Sequence, residues 1–134
     1  NTLKQAAWAP LGVFVFYAVA AKPFSAYLRW PWLDMPTHFM GGMAIAYFFI
    51  VAIKHAQSVV GLIPRSIRML LAFGLTSVTA IVWELLEFAS DRLLGTLMNL
   101  GVADTLSDLF FGLCGGAVMA VMSMYASSTR KFRR

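Results

Sequence analysis

The chain has 134 residues, of which 60% are hydrophobic and only 13% are charged, with 11 Lys and Arg against 6 Asp and Glu. Soluble domains average about 25% charged residues, so this composition excludes a disordered segment and an ordinary cytosolic enzyme. The basic residues lie in short segments between apolar stretches, which excludes a nucleic-acid-binding face, and the single cysteine excludes an internal disulfide and multi-cysteine zinc motifs.

Four apolar segments are long enough to cross a bilayer as helices, since a span needs roughly 17–25 residues. They cover residues 5–21, 34–54, 66–94 and 104–125. Pro23 follows the first segment, a loop is predicted from His55 to Pro64, and Gly95 is expected to be the C-cap of the third helix. We predict an all-α polytopic membrane protein with a single domain of four transmembrane helices and a basic tail at 126–134.

Basic residues predict the orientation in the membrane. An even number of spans places both termini on one face, and most Lys and Arg residues belong to that face: Lys4, Lys54, Arg65, Arg68, Arg130, Lys131, Arg133 and Arg134. The positive-inside rule therefore predicts cytoplasmic termini. The basic tail is expected to contact anionic lipid, with each residue contributing about 1 kcal/mol near the surface.

The acidic residues are predicted to gather at the opposite, extracytoplasmic ends of the helices, together with His38. They are Asp34, Glu84, Glu87, Asp91, Asp104 and Asp108. Within each helix they are spaced by three or four residues, so each set lines one helix face. With a rise of 1.5 Å per residue, Glu84 lies about 24 Å along its helix from Arg68. This depth predicts a pocket just below the outer surface of a hydrocarbon core about 30 Å thick.

Small residues continue the same helix faces toward the middle of the membrane. They are Gly42, Ala46, Thr76, Ala80, Gly112, Gly116 and Ala120. Small side chains allow membrane helices to approach closely, so the second, third and fourth helices are predicted to meet along these faces. The first helix has no comparable stripe and is predicted to be peripheral.

Charge balance at the acidic ends predicts a bound cation. Arg29 and Arg92 are the only guanidinium groups nearby, so the carboxylates need retained protons or a bound metal ion. Carboxylates with one imidazole suit divalent Zn, Mn, Fe or Mg. The predicted ligands are His38, Glu84, Glu87 and Asp108, with Asp104 as a further candidate. Asp34 and Asp91 are the candidate catalytic bases.

Several of these residues also have a purely structural interpretation. Asp34 and Asp104 are each explained as helix N-caps, and Trp83 as a lipid-facing or packing residue. Glu84 and Glu87 argue for function, because they lie in the C-terminal half of an apolar helix, where the helix dipole disfavours negative charge.

Four motifs occur in order along the chain: Asp34-Met-Pro-Thr-His38-Phe39, Trp83-Glu84-Leu-Leu-Glu87-Phe88, Asp91-Arg-Leu-Leu-Gly95-Thr96 and Asp104-Thr105-Leu-Ser-Asp108-Leu109. This order resembles the YjdF-like family of small bacterial inner-membrane proteins. The chain resembles VanZ-like proteins more loosely, and their Glu-x-x-Gln motif is not matched here. The resemblance covers residues 34–116 and implies a bacterial cytoplasmic-membrane location, but it supplies no reaction.

The leading functional hypothesis is a metal-binding pocket that faces the periplasm and acts on lipid or polyprenyl headgroups. The alternatives are a non-catalytic accessory subunit of a larger membrane complex and an ion- or proton-coupled transporter. The expected partners are membrane lipids, another membrane protein or a second copy of the chain, and no nucleic acid. The residues do not decide between an enzyme and a binding protein.

Overall fold

Residues 2–21 and 26–126, which the computed structural model describes, form helices joined by short loops. The elements are α1 (Thr2–Val15), a π-helical segment (Phe16–Ala21), α2 (Ala26–Arg29), a 3-10 turn (Pro31–Leu33), α3 (Asp34–Val60), α4 (Arg65–Leu94) and α5 (Val102–Ala126). The all-α prediction is confirmed for these residues. The predicted stop at Pro23 and the tail beyond Ala126 lie outside them.

Within residues 2–21 and 26–126, three helices are long and apolar enough to cross a membrane: Pro31–Val60, Arg65–Leu94 and Val102–Ala126. Their outer surfaces carry large apolar side chains, and Leu70, Leu85 and Phe110 are each at least 60% exposed. Apolar surface of this extent suits lipid rather than water. The segment predicted as the first span is helical as well, but it is divided between α1 and the π-helical segment.

The predicted loop from His55 to Pro64 is wrong over its first half. Helix α3 continues to Val60 and ends at Gly61, which has a φ of 87° and donates its N–H to the carbonyl of Gln57. The side chain of Gln57 then accepts the N–H of Ile63 at 2.9 Å. Backbone hydrogen bonds keep residues 55–60 helical although they are more polar than the preceding residues. The change in polarity that suggested a loop therefore does not coincide with the end of the helix.

Helices α3, α4 and α5 meet along the small residues, as predicted. Ala46 and Ala72 are fully buried, and Thr76 is 1% exposed. A Cβ atom added to Gly42 would overlap the carbonyl of Gly112, so the backbones of α3 and α5 touch at this point. Glycine is required here by close approach rather than by backbone conformation.

The first helix lies at the edge of the bundle, as predicted, and most of its side chains are exposed. Helix α1 packs against α3, and the ring of Phe14 meets the edge of Trp83 at a centroid distance of 6.4 Å. Tyr17, in the π-helical segment, contacts the same indole ring at 5.9 Å. Aromatic side chains, which create no polar stripe, therefore connect the first helix to the acidic end of α4.

Candidate metal centre

Five potential metal ligands converge at the end of the bundle where α3 and α5 begin and α4 ends. They form two groups, Asp34, His38 and Asp108, and Glu84, Glu87 and Asp108. Within each group the donor atoms lie within 4.8 Å of one another. The four ligands predicted from the sequence thus lie together, and Asp34, predicted as a base, joins them. We call these five residues the acidic cluster.

Asp34 is not the N-cap that the sequence suggested, and it faces His38, four residues later on the same side of α3. The 3-10 turn runs directly into α3, so Asp34 has helical dihedral angles and its N–H bonds to the carbonyl of Pro31. Its side chain therefore does not cap a backbone N–H of α3. The Oδ1 atom of Asp34 lies 3.4 Å from Nε2 of His38, which is itself 3.8 Å from Oδ1 of Asp108.

The second group is the more deeply buried one. Glu84, Glu87 and Asp108 are only 5%, 6% and 3% exposed. The Oε2 atom of Glu84 is buried and has no hydrogen-bond partner among the described residues. Across the same part of the chain, the ion pairs of these acids involve only His38 and no Lys or Arg. Burying an anionic oxygen without a partner is costly, so this arrangement calls for a bound cation or a retained proton.

Trp83 is a site residue that the sequence analysis assigned to lipid or packing. Its indole N–H donates a 2.8 Å hydrogen bond to Oε1 of Glu87. The i, i+4 spacing of Trp83 and Glu87 was the available signal, since residues so spaced share a helix face. The bond leaves Glu87 oriented toward Glu84 and Asp108 with one of its oxygens satisfied.

Tyr27 lies beside the cluster in α2. Its ring stacks on Tyr17 at 5.9 Å, and its hydroxyl donates to Oγ1 of Thr37 at 3.3 Å. Burial raises the pKa of the Tyr27 hydroxyl above its usual value of 10.0, so the group stays protonated and remains a donor at neutral pH. None of the sequence motifs had pointed to Tyr27 as part of the site.

A cavity of about 360 Å³ adjoins the acidic cluster between α1, α3, α4 and the loop that joins α4 to α5. Its lining includes Phe14, Tyr17, Tyr27, Asp34, His38 and Glu87. This volume is within the range of about 300–1,000 Å³ typical of small-molecule sites. The cavity combines an apolar, aromatic wall with a polar end, an arrangement that suits an amphipathic ligand.

Asp91 and Asp104 lie outside both ligand groups and organise the loop between α4 and α5. Helix α4 ends at Gly95 in the left-handed conformation, with a φ of 64°, which confirms the predicted C-cap. Asp91 then accepts the Thr96 hydroxyl and the N–H groups of Met98 and Asn99. These bonds occupy both of its oxygens. Asp91, a candidate base in the sequence, therefore stabilises the loop in the structure.

Asp104 likewise has a local role. Helix α5 begins at Val102, two residues before the predicted N-cap. Asp104 therefore lies in the first turn, and its Oδ2 reaches back to accept the N–H of Leu100 at 2.8 Å. This bond satisfies a backbone donor of the loop just before the helix.

Replacing Asp91 with alanine is expected to loosen this loop, because the N–H groups of Met98 and Asn99 lose their acceptor. We expect several-fold faster cleavage of residues 95–101 in limited proteolysis. The variant Asp104→Ala removes a single loop bond and should have a smaller effect. Equal cleavage rates for Asp91→Ala and the wild type would contradict this assignment.

Residues 2–129 match a family described as "Predicted membrane protein (DUF2238)". The chain belongs to the DUF2238 family. An uncharacterized protein of Thermotoga maritima is 32% identical to this DUF2238 chain over 100 residues, which are 74% of the chain and 50% of the relative. The chain therefore spans about half the length of this curated relative. No solved structure matches this chain significantly. Family membership and the three long apolar helices together identify a multi-pass membrane protein.

Proposed function

We propose that this DUF2238 protein binds a divalent metal ion in the acidic cluster and presents it to the phosphate of a lipid or polyprenyl headgroup. The buried, unpartnered Oε2 atom of Glu84, beside the carboxylates of Glu87 and Asp108, is the observation that carries the proposal. A cation is the partner that would offset this anionic charge without protonating it. When bound, the metal would supply a Lewis acid that attracts phosphate oxygens.

The donor set supports a hard or borderline metal ion. Four carboxylates and one imidazole suit Zn²⁺, Mn²⁺, Fe²⁺ or Mg²⁺. Two ligands of a tetrahedral zinc ion, each about 2.1 Å from it, are about 3.4 Å apart. The distances of 3.4 and 3.8 Å from Nε2 of His38 to Asp34 and Asp108 are close to that value.

The cavity supports the lipid part of the proposal. A headgroup phosphate would bind at the polar end, beside Asp34, His38 and Glu87, and an acyl or prenyl chain would follow the apolar wall that includes Phe14. The carboxylates alone would repel a phosphate, so a metal ion is required between the two. Binding of the lipid headgroup would therefore require the bound cation.

We further infer a four-span topology with cytoplasmic termini, a location in the bacterial inner membrane, and a cluster facing the periplasm. The concentration of Lys and Arg in the segments opposite the acids supports this orientation. The order of the Asp34-x-x-x-His38, Trp83-Glu84 and Asp104-Thr105 motifs supports a YjdF-like protein within DUF2238.

Metal analysis of the purified protein tests the cation site. The wild type, loaded with Mn²⁺ or Zn²⁺ and desalted in detergent, is expected to retain metal. The double variant Glu84→Gln, Glu87→Gln is expected to lose at least half of it, because amides keep the side-chain volume but remove two anionic ligands.

The matched control is Asp104→Asn, which removes one carboxylate at the same end of the bundle but outside both ligand groups. It should retain metal like the wild type. A single elution peak and unchanged helical circular dichroism would establish that each variant is folded. Absence of metal from the folded wild type, or equal retention by the double variant, would overturn the proposal.

A further inference from the structure

The two ligand groups of the acidic cluster share one residue, Asp108. We propose that the acidic cluster holds two adjacent divalent cations, bridged by the carboxylate of Asp108. The outer cation would be bound by Asp34 and His38, and the inner one by Glu84 and Glu87. This inference rests on the proposed metal-binding function and specifies its form.

The separation of the ligands into two groups supports two positions. Donor atoms within 4.8 Å of one another form one set around His38 and another around Glu87, and Asp108 alone belongs to both. A carboxylate has two oxygens and about four lone-pair sites, so it can bind two metal ions at once. Paired metal sites in proteins have ions about 3.5–4 Å apart, a distance that one carboxylate spans.

Charge balance also favours two cations over one. The cluster contains four carboxylates, from Asp34, Glu84, Glu87 and Asp108, and the imidazole of His38 is neutral when it binds a metal. Two divalent ions neutralise four ionised carboxylates, whereas one ion leaves two negative charges. Within the described residues no Lys or Arg ion pair compensates these acids, and a buried net charge of this size is strongly unfavourable.

Burial distinguishes the two positions. The inner ligands Glu84 and Glu87 are buried, and the unpartnered oxygen of Glu84 points to a ligand there. The side chains of the outer ligands, His38 and Asp34, are 17% and 26% exposed, and both residues line the cavity. Of the inner pair only Glu87 reaches the cavity wall, so the inner ion would be the more enclosed one, whereas the outer ion would have coordination positions open to an oxyanion such as a phosphate ester.

Titration of the purified, metal-free protein with Mn²⁺ tests this arrangement, with bound metal counted by elemental analysis and the spin state read by electron paramagnetic resonance. We expect two Mn²⁺ ions per chain and a signal from exchange-coupled ions, because a bridging carboxylate couples the two spins. This measurement on the wild type requires no variant to fold.

Two sets of variants separate the positions. His38→Gln is expected to retain only the inner ion and Glu84→Gln with Glu87→Gln only the outer one, each with an uncoupled signal. Asp108→Asn should lose the coupling, whereas the control Asp104→Asn should keep both ions coupled.

The outcomes distinguish this inference from the proposed function. One uncoupled Mn²⁺ per wild-type chain would overturn the two-cation arrangement and leave the single cation site intact. No bound Mn²⁺ would overturn both. Two ions without coupling, or coupling that persists in Asp108→Asn, would overturn the bridging role of Asp108.

Discussion

Replacing Gly42 with alanine is expected to destabilise the bundle strongly. Among the glycines at the α3–α5 contact, only Gly115 should be as sensitive to this substitution. The new Cβ atom at residue 42 would overlap the backbone carbonyl of Gly112. A backbone carbonyl cannot rotate away as a side chain can, so α3 and α5 must move apart. Overpacking typically costs about 1–3 kcal/mol, and we expect Gly42→Ala to reach at least the upper end of that range.

The thermal midpoint of the protein in detergent, followed by tryptophan fluorescence, measures this effect. Gly112→Ala is the matched control, because its Cβ would lie 3.8 Å from the Ala80 methyl and 3.9 Å from the His38 carbonyl, which are ordinary contacts. Gly74→Ala, with nothing near the added atom, should gain about 1 kcal/mol of helix propensity. A midpoint for Gly42→Ala equal to that of Gly112→Ala would show that the helices are not in contact there.

Removing metal from the wild-type protein is expected to lower its thermal midpoint substantially. A ligand that binds only the folded state stabilises it by about 2.7 kcal/mol when its free concentration is one hundred times the dissociation constant. Without the metal, the buried carboxylates of Glu84, Glu87 and Asp108 also repel one another. Thermal unfolding with and without a chelator, followed by re-addition of Mn²⁺, measures the loss and its recovery.

The double variant Glu84→Gln, Glu87→Gln is the control for this experiment. Its midpoint should fall less on addition of chelator than that of the wild type, because both anionic ligands of the inner group are gone. Its metal-free midpoint should also exceed that of the metal-free wild type, since neutral amides do not repel one another. A wild-type midpoint that is unchanged by chelator and by added metal would argue against a cation that is part of the folded structure.

The convergence of the acidic residues was predictable because it follows from helix periodicity and from the alternating direction of the long apolar helices. Because α3, α4 and α5 are helices of bilayer length that alternate in direction, Asp34, Glu87 and Asp108 must lie at one end of the bundle. Their spacing also placed them on the faces that carry the small residues. The contact of Gly42 with α5 followed from the same pattern, since small residues at i, i+4 indicate close helix packing.

The local role of each acid could not be predicted in the same way. Asp34 and Asp104 both looked like N-caps, but the 3-10 turn before α3 removed that role from the first, and the earlier start of α5 altered it for the second. Asp91 was a candidate base until the fold of the following loop directed two backbone N–H groups toward it. Such roles depend on loop conformation, which no periodic pattern encodes.

The amino-acid sequence by itself determined that this protein is helical and built for a membrane, and that its acids meet at one end, because these properties arise from apolar length and helical repeat. Only the tertiary structure decided that Trp83 supports Glu87, that the first helix helps to form the cavity wall, and that Asp108 belongs to two ligand groups. Those features depend on distances of a few ångströms between side chains of different elements, which are set when the helices pack.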